Sequence, residues 1–117
     1  MGESIILVKS KAFAIRIVKL YQWLVDKKKE FVLVKQLLRS GTSIGANVRE
    51  AHHAQSKREF VAKMNIALKE AAESEYWLEL LFETNYLDKK EFDSINKDCV
   101  EIKSLLISII KSSNKGT

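Results

Sequence analysis

The sequence predicts an all-α protein, an antiparallel up-down-up-down four-helix bundle, and three observations carry that prediction. The chain holds no proline and its only internal glycines are Gly41 and Gly45, so nothing forces long stretches out of helix. Apolar residues recur at alternating spacings of three and four along four segments. The joints between these segments are short, which makes consecutive helices antiparallel neighbours.

In the first segment Phe13, Ile17, Leu20 and Leu24 form one seam, with Ala14, Val18, Tyr21 and Val25 beside it, giving a broad apolar face. The second segment follows the charged joint Asp26 to Glu30 and places Val34, Leu38, Gly41, Gly45 and Val48 at 4-3-4-3 spacing. The third opens with a capping box, in which Ser56 accepts from the amide of Glu59 while the Glu59 side chain reaches back to Ser56. Its seam is Phe60, Met64, Ala67, Ala71, Ser74, Leu78 and Leu81. The fourth has Asp88 as N-cap with Glu91 three residues on, and Leu87 is placed to staple onto Phe92. From there Phe92, Ile95, Cys99, Ile102, Leu106 and Ile109 continue the 3-4 pattern. Together these signals predict a single domain over residues 1–117, with helices near 10–28, 30–54, 57–84 and 88–113.

A single bundle does not absorb every apolar residue. Leu105, Leu106, Ile107, Ile109 and Ile110 spread over roughly 200° of the fourth helix, about twice the width of a core-facing stripe. With Tyr76, Trp77 and Leu80 at the end of the third helix, the surplus predicts a contact surface and hence a homo-oligomer.

Composition excludes several classes. A chain of 117 residues with 46% apolar residues can bury its own core and is not a disordered tail. Its longest uncharged run, Ser40 to Val48, is far short of the ~20 apolar residues that cross a bilayer. Glu3, Lys9 and Lys11 interrupt the N-terminus where a signal peptide needs an apolar stretch, so a cytoplasmic location is expected. The single cysteine, Cys99, rules out an intramolecular disulfide and any multi-cysteine metal cluster.

Charge is unevenly distributed. Residues 1–69 hold 14 Lys or Arg against 5 acidic residues, a balance of +9, whereas residues 70–117 hold 6 against 10, a balance of −4. Such asymmetry fits either a basic face for nucleic acid or complementary helices that attract each other.

The segment Ser40 to Asn47 is rich in small residues and glycines, but it lacks the GxxxxGK[ST] spacing and a preceding strand. Gly41 and Gly45, four apart on one face, instead predict close approach of another helix. Glu50 and His53 make one Glu-x-x-His element, half of what a di-iron bundle requires, and His52 and His53 are the only histidines. No metal or cofactor is therefore expected. Cys99 lies on a core seam, and Glu70, Glu73, Glu75, Glu79 and Glu83 read as a solvated or ion-pairing surface rather than an acid-base dyad. No nucleophile stands beside a base, and no enzyme is expected.

The cations are better organised. Lys28, Arg39, Thr42, Arg49 and His53 fall within roughly 40° of Lys35 if the second helix is extended through them, opposite its apolar seam. On the first helix Lys9, Arg16 and Lys27 share a line with Trp23, and Lys57, Arg58 and Lys63 add charge at the start of the third. Cations on an extended face with an aromatic nearby suit phosphate-backbone binding, and they also suit a solubilising face. The residues singled out for nucleic acid are Lys9, Arg16, Lys28, Lys35, Arg39, Arg49, Lys57 and Arg58.

SGTSIGANVRE at Ser40 to Glu50, followed by SKREFVAKMNIALKEAAESEYWLELL at Ser56 to Leu81, resembles the four-helix-bundle family encoded in intervening sequences of bacterial 23S rRNA genes. The similar layout spans nearly the whole chain. One departure is Ala51, where family members often have glycine after the glutamate, which bears on how the second helix ends. The resemblance implies a ring-like homo-oligomer, a pentamer, and no catalytic activity. That family in turn resembles the accessory proteins of diversity-generating retroelements, basic pentameric barrels that bind nucleic acid and a reverse transcriptase. By motif position the resemblance directs attention to Arg39, Asn47, Arg49 and Glu50, with Gly41, Gly45, Asn47 and Glu50 in structural roles. The function expected is a non-enzymatic oligomer binding RNA or DNA phosphates; the alternative is a structural or adaptor module docking a protein partner.

Overall fold

The computed structural model describes the backbone of residues 2–115 and the side chains of residues 5–115; residues 1, 116 and 117 of the expected domain lie outside them. Four helices and no strand occur among the described residues: α1 Gly2–Lys28, α2 Leu33–His52, α3 Lys57–Glu83 and α4 Lys89–Lys115. α1 packs on α2 and α4, and α3 packs on α2 and α4, so the helices enclose one core in a bundle of 48 × 21 × 18 Å. No helix is long and apolar enough to cross a membrane among the described residues.

The helix limits differ from the expected ones for local reasons. α1 begins at Gly2 rather than near residue 10. The run Ile5, Ile6, Leu7, Val8 hides the 3-4 pattern, yet Ile6 is fully buried and Ser10, four residues on, continues its line to Phe13 and Ile17. α2 begins at Leu33 rather than residue 30 because Glu30 stands outside it as a cap. Its carboxylate accepts from the amides of Val32 at 3.3 Å, Leu33 at 3.0 Å and Val34 at 2.8 Å, filling donors that a helix start leaves unpaired. Only 7% of Glu30 is exposed, so this residue of the charged joint is buried against the start of α2.

The other joints use backbone chemistry. Asn85 takes φ 71 after α3, and the amides of Asn85 and Tyr86 close onto the carbonyls of Phe82 and Leu81 at 3.1 and 2.8 Å, a Schellman ending. At α4 the capping box is reciprocal: the Glu91 amide donates to Asp88 at 2.7 Å and the Asp88 amide donates to Glu91 at 3.0 Å. At α3 the Glu59 amide donates to Ser56 Oγ at 3.0 Å, but the Glu59 carboxylate takes the amide of Gln55 at 3.1 Å rather than that of Ser56. Leu87 is buried, while the ring of Phe92 stacks on Phe82 with centroids 4.7 Å apart.

The core follows the expected seams on α3 and α4, from Met64 to Leu81 and from Ile95 to Ile109. On α2 the seam is rotated. Val34, Leu37, Gly41, Ile44, Val48 and Ala51 point inward, and Leu38 and Gly45 flank them. Both lines satisfy the 3-4 pattern, and burying Leu37 and Ile44 removes more apolar area from water than burying Gly45 would. Ser40 and Ser74 meet inside at 2.8 Å, and their hydroxyls also reach the carbonyls of Leu37 and Glu70, so this buried polar pair is satisfied. Cys99 Sγ lies 3.3 Å from the carbonyl of Ala71, and burial, with Glu75 adding to it, pushes its thiol up to about 12.

The glycines play different parts. A Cβ on Gly41 would sit 2.8 Å from Ile17 Cγ1, so the α2 backbone rests directly on a β-branched core side chain of α1. A Cβ on Gly45 would meet the Ser10 carbonyl oxygen at 3.4 Å, an ordinary contact, so close helix approach requires glycine at the first position only.

The apolar surplus is also redistributed. On α4 Leu105 and Ile110 are half-buried and Ile107 is exposed; on α3 Tyr76 is exposed while Trp77 is half-buried. The longer stripe lies on the outer face of α1, where Ile5, Val8, Ala12, Ile15 and Val18 are exposed opposite the core seam.

Two stability measurements follow. Gly41→Ala should destabilise by about 1 kcal/mol net, because overpacking of about 1–3 kcal/mol outweighs a helix-propensity gain of about 1, whereas Gly45→Ala should stabilise by about 0.5–1 kcal/mol. Opposite shifts in urea midpoint check this pair. Glu30→Ala should cost about 1–3 kcal/mol by leaving helix-start amides without a partner, with Glu30→Gln losing less because it keeps an acceptor.

Candidate nucleic-acid interface

Cations that look alike in sequence have different fates in the bundle. Lys9 pairs with Glu101 at 3.2 Å, and Arg16 reaches Asp98 at 2.7 Å together with the carbonyl and hydroxyl of Ser94 at 3.3 and 3.1 Å, tying α1 to α4. Arg39 bridges Glu70 at 3.4 Å and Glu73, tying α2 to α3. Glu73 also accepts from Trp77 Nε1 at 3.0 Å; that bond, with Arg39, holds its carboxyl below the usual range. The hydrogen bond that Arg39 donates to Glu73 and the charge of Glu70 in turn raise the pKa of Arg39. Three of the eight singled-out cations are thus engaged by carboxylates of the acidic second half, so complementary helices account for part of the charge asymmetry.

Lys28 is not part of the α2 stripe. It ends α1, Lys29 at φ 54 breaks the helical phase, and the Lys28 ammonium lies 5.4 Å from the centroid of the Trp23 ring. His53 likewise stands just beyond α2 as its C-cap.

Lys35, Arg49, Lys57 and Arg58 remain, all exposed and without an ion pair among the described residues. Lys35 and Arg49 share the outer face of α2 with Arg39, Thr42 and Ala46 at 4-3-4-3 spacing. Lys57 and Arg58 stand in the first turn of α3, where positive charge opposes the helix dipole and gives the bundle nothing. Arg49 also borders a shallow groove of about 230 Å³ between α1 and α2, with Lys11 facing it. Sequence reasoning missed Lys11, because no local signal announces a neighbour on another helix.

The remaining motif residues are structural in their contacts. Asn47 donates to the carbonyl of Ser43 at 2.9 Å, and Glu50 pairs with Lys63 at 2.8 Å, raising that lysine. His52 Nδ1 lies 2.9 Å from the Val48 carbonyl. Among the described residues no group of three or more His, Cys, Asp or Glu side chains converges as metal ligands would.

Comparison with known proteins agrees with this architecture. No curated protein matches the chain. The crystal structure of a protein of unknown function from the S23 ribosomal protein family of Bacteroides thetaiotaomicron is 59% identical, with a TM-score of 0.94 over 95% of this chain and 99% of that one. The model of the 23S rRNA-intervening sequence protein family matches residues 3–108. Four helices of this length, the Ser40 to Glu50 segment and that match establish that the chain belongs to the 23S rRNA-intervening sequence protein family.

Proposed function

We propose that this chain is a non-enzymatic protein that binds RNA or DNA phosphates through a basic surface and works as a ring-like homo-oligomer, a pentamer. The observation that carries the binding reading is the division among its cations. Lys9, Arg16 and Arg39 hold helices together, whereas Lys11, Lys35, Arg49, Lys57 and Arg58 meet no carboxylate among the described residues and stay exposed. A surface of unpaired Lys and Arg attracts polyanions, and copies of it in a ring add their fields along one strand.

Assembly is supported by α1. Val8 is 70% exposed and Ile15 48% exposed on the side away from the core, so this helix is apolar on both faces, as helices buried between subunits are. The antiparallel up-down-up-down order is supported by Gly41 resting on Ile17 and Gly45 on Ser10, which oppose α2 to α1, together with the ion pairs between α1 and α4 and between α2 and α3. Lys9 meets Glu101 while Arg16 meets Asp98, and Arg39 meets Glu70 while Glu50 meets Lys63, so residue numbers rise on one helix as they fall on its neighbour.

Light scattering should give a mass several times the 13.4 kDa of one chain, and a monodisperse monomer at micromolar concentration overturns the assembly. Electrophoretic shift between 50 and 200 mM salt should show affinity falling by about 10³ or more, as several phosphate contacts require. Replacing Lys35, Arg49, Lys57 and Arg58 together by Glu should abolish the shift, and Lys9→Glu should weaken it far less. No shift at low salt removes the binding reading; a protein partner recovered equally after nuclease treatment favours the adaptor role instead.

A further inference from the structure

The α1–α4 side of the bundle is less well filled than the others. Below the Arg16 tie to Asp98 and Ser94, a cleft of about 620 Å³ opens between the two helices beside the α3–α4 joint. That volume falls within the ~300–1,000 Å³ range of small-molecule sites. Leu20, Leu87 and Ile95 supply apolar lining, Trp23 lines one part, and Lys19 and Lys90 come from opposite helices. Both lysines are exposed and neither has an ion pair among the described residues. A second cavity of about 320 Å³ adjoins it, sharing Trp23, Leu87 and Glu91 and adding Lys28, Tyr86 and Asp88 among its lining.

An aromatic side chain in an apolar cleft flanked by cations matches one ligand chemistry closely: a planar base carrying a phosphate. Stacking on Trp23 needs only a π-face, so it tolerates any base, and the lysines need only an anion. Glu91 also lines the cleft; its Oε1 accepts the Asp88 amide, and its charge favours placing the phosphate towards Lys19 and Lys90. We propose that the cleft between α1 and α4 takes an unstacked nucleotide, its base against Trp23 and its phosphate between Lys19 and Lys90. The proposal relies on the nucleic-acid reading for its ligand class and uses none of the α2 and α3 cations. It also sharpens that reading. A duplex keeps its bases stacked inside and offers only phosphates, so a cleft of this kind selects single strands. The adjoining cavity, with Tyr86 and Lys28, continues the path for a neighbouring nucleotide.

The test uses Trp77→Phe protein, in which Trp23 is the sole tryptophan, titrated at low salt with single-stranded oligouridylate, a blunt RNA duplex and free UMP. The single strand should quench Trp23 fluorescence and bind more tightly than the duplex. Trp23→Leu should weaken single-strand binding by about 5- to 150-fold, the range of one base-aromatic stack, and leave duplex binding unchanged. Lys19→Ala with Lys90→Ala, both at exposed positions, should weaken it about tenfold with circular dichroism unaltered, which covers the case in which Trp23→Leu fails to fold. If the single strand binds without quenching and neither variant weakens it, the cleft proposal is overturned and the phosphate-binding reading stands. If no oligonucleotide binds but UMP quenches Trp23, the cleft holds a free nucleotide and the broader reading falls. If nothing quenches and nothing binds, both are overturned.

Discussion

Burial of one apolar seam from each helix decides everything else on this molecule, because choosing which side of a helix faces inward also chooses which side faces water. α2 shows this most clearly. Two lines that share Val34, Gly41 and Val48 both keep the 3-4 pattern, and the bulk of Leu37 and Ile44 selects between them. With that line inside, Lys35, Arg39, Thr42, Ala46 and Arg49 share the opposite face. Gly41 then allows α2 to settle on Ile17 of α1, which brings the two helices close without displacing a core side chain.

Charge is distributed after packing. The acidic half of the chain supplies Glu70, Glu73, Asp98 and Glu101, and the bundle brings these to Arg39, Arg16 and Lys9. Each such exposed pair is worth only about 0–1 kcal/mol. Their importance lies less in stability than in subtraction, since they remove three cations and four carboxylates from the free surface. Glu30 is removed in another way, by burial against the amides that open α2. With Arg39 and the Glu50–Lys63 pair set aside, the cations left without an ion pair on α2 and the start of α3 among the described residues are Lys35, Arg49, Lys57 and Arg58.

Within the stretch matched to the 23S rRNA-intervening sequence protein family, the motif side chains go into contacts inside the bundle. Asn47 and Glu50, prominent in the motif, spend their polar atoms on the Ser43 carbonyl and on Lys63. Apolar residues on the outer face of α1 give that helix a second side to bury, which a lone bundle leaves in water.

The sequence by itself determined the four helices, the caps at Ser56 and Asp88, and the seams of α3 and α4, because these follow from contacts within a few residues along the chain. It left the start of α1 obscured, since a continuous run from Ile5 to Val8 carries no phase, and it left Glu30 looking like any charged joint residue. Only the tertiary structure decided the rotation of α2, the need for glycine at residue 41 but not 45, which cations keep their charge free, and the cleft that joins Trp23 to Lys90. Each of these depends on the register between helices far apart in sequence. A side chain's partner across such a gap is selected by packing, not by spacing along the chain.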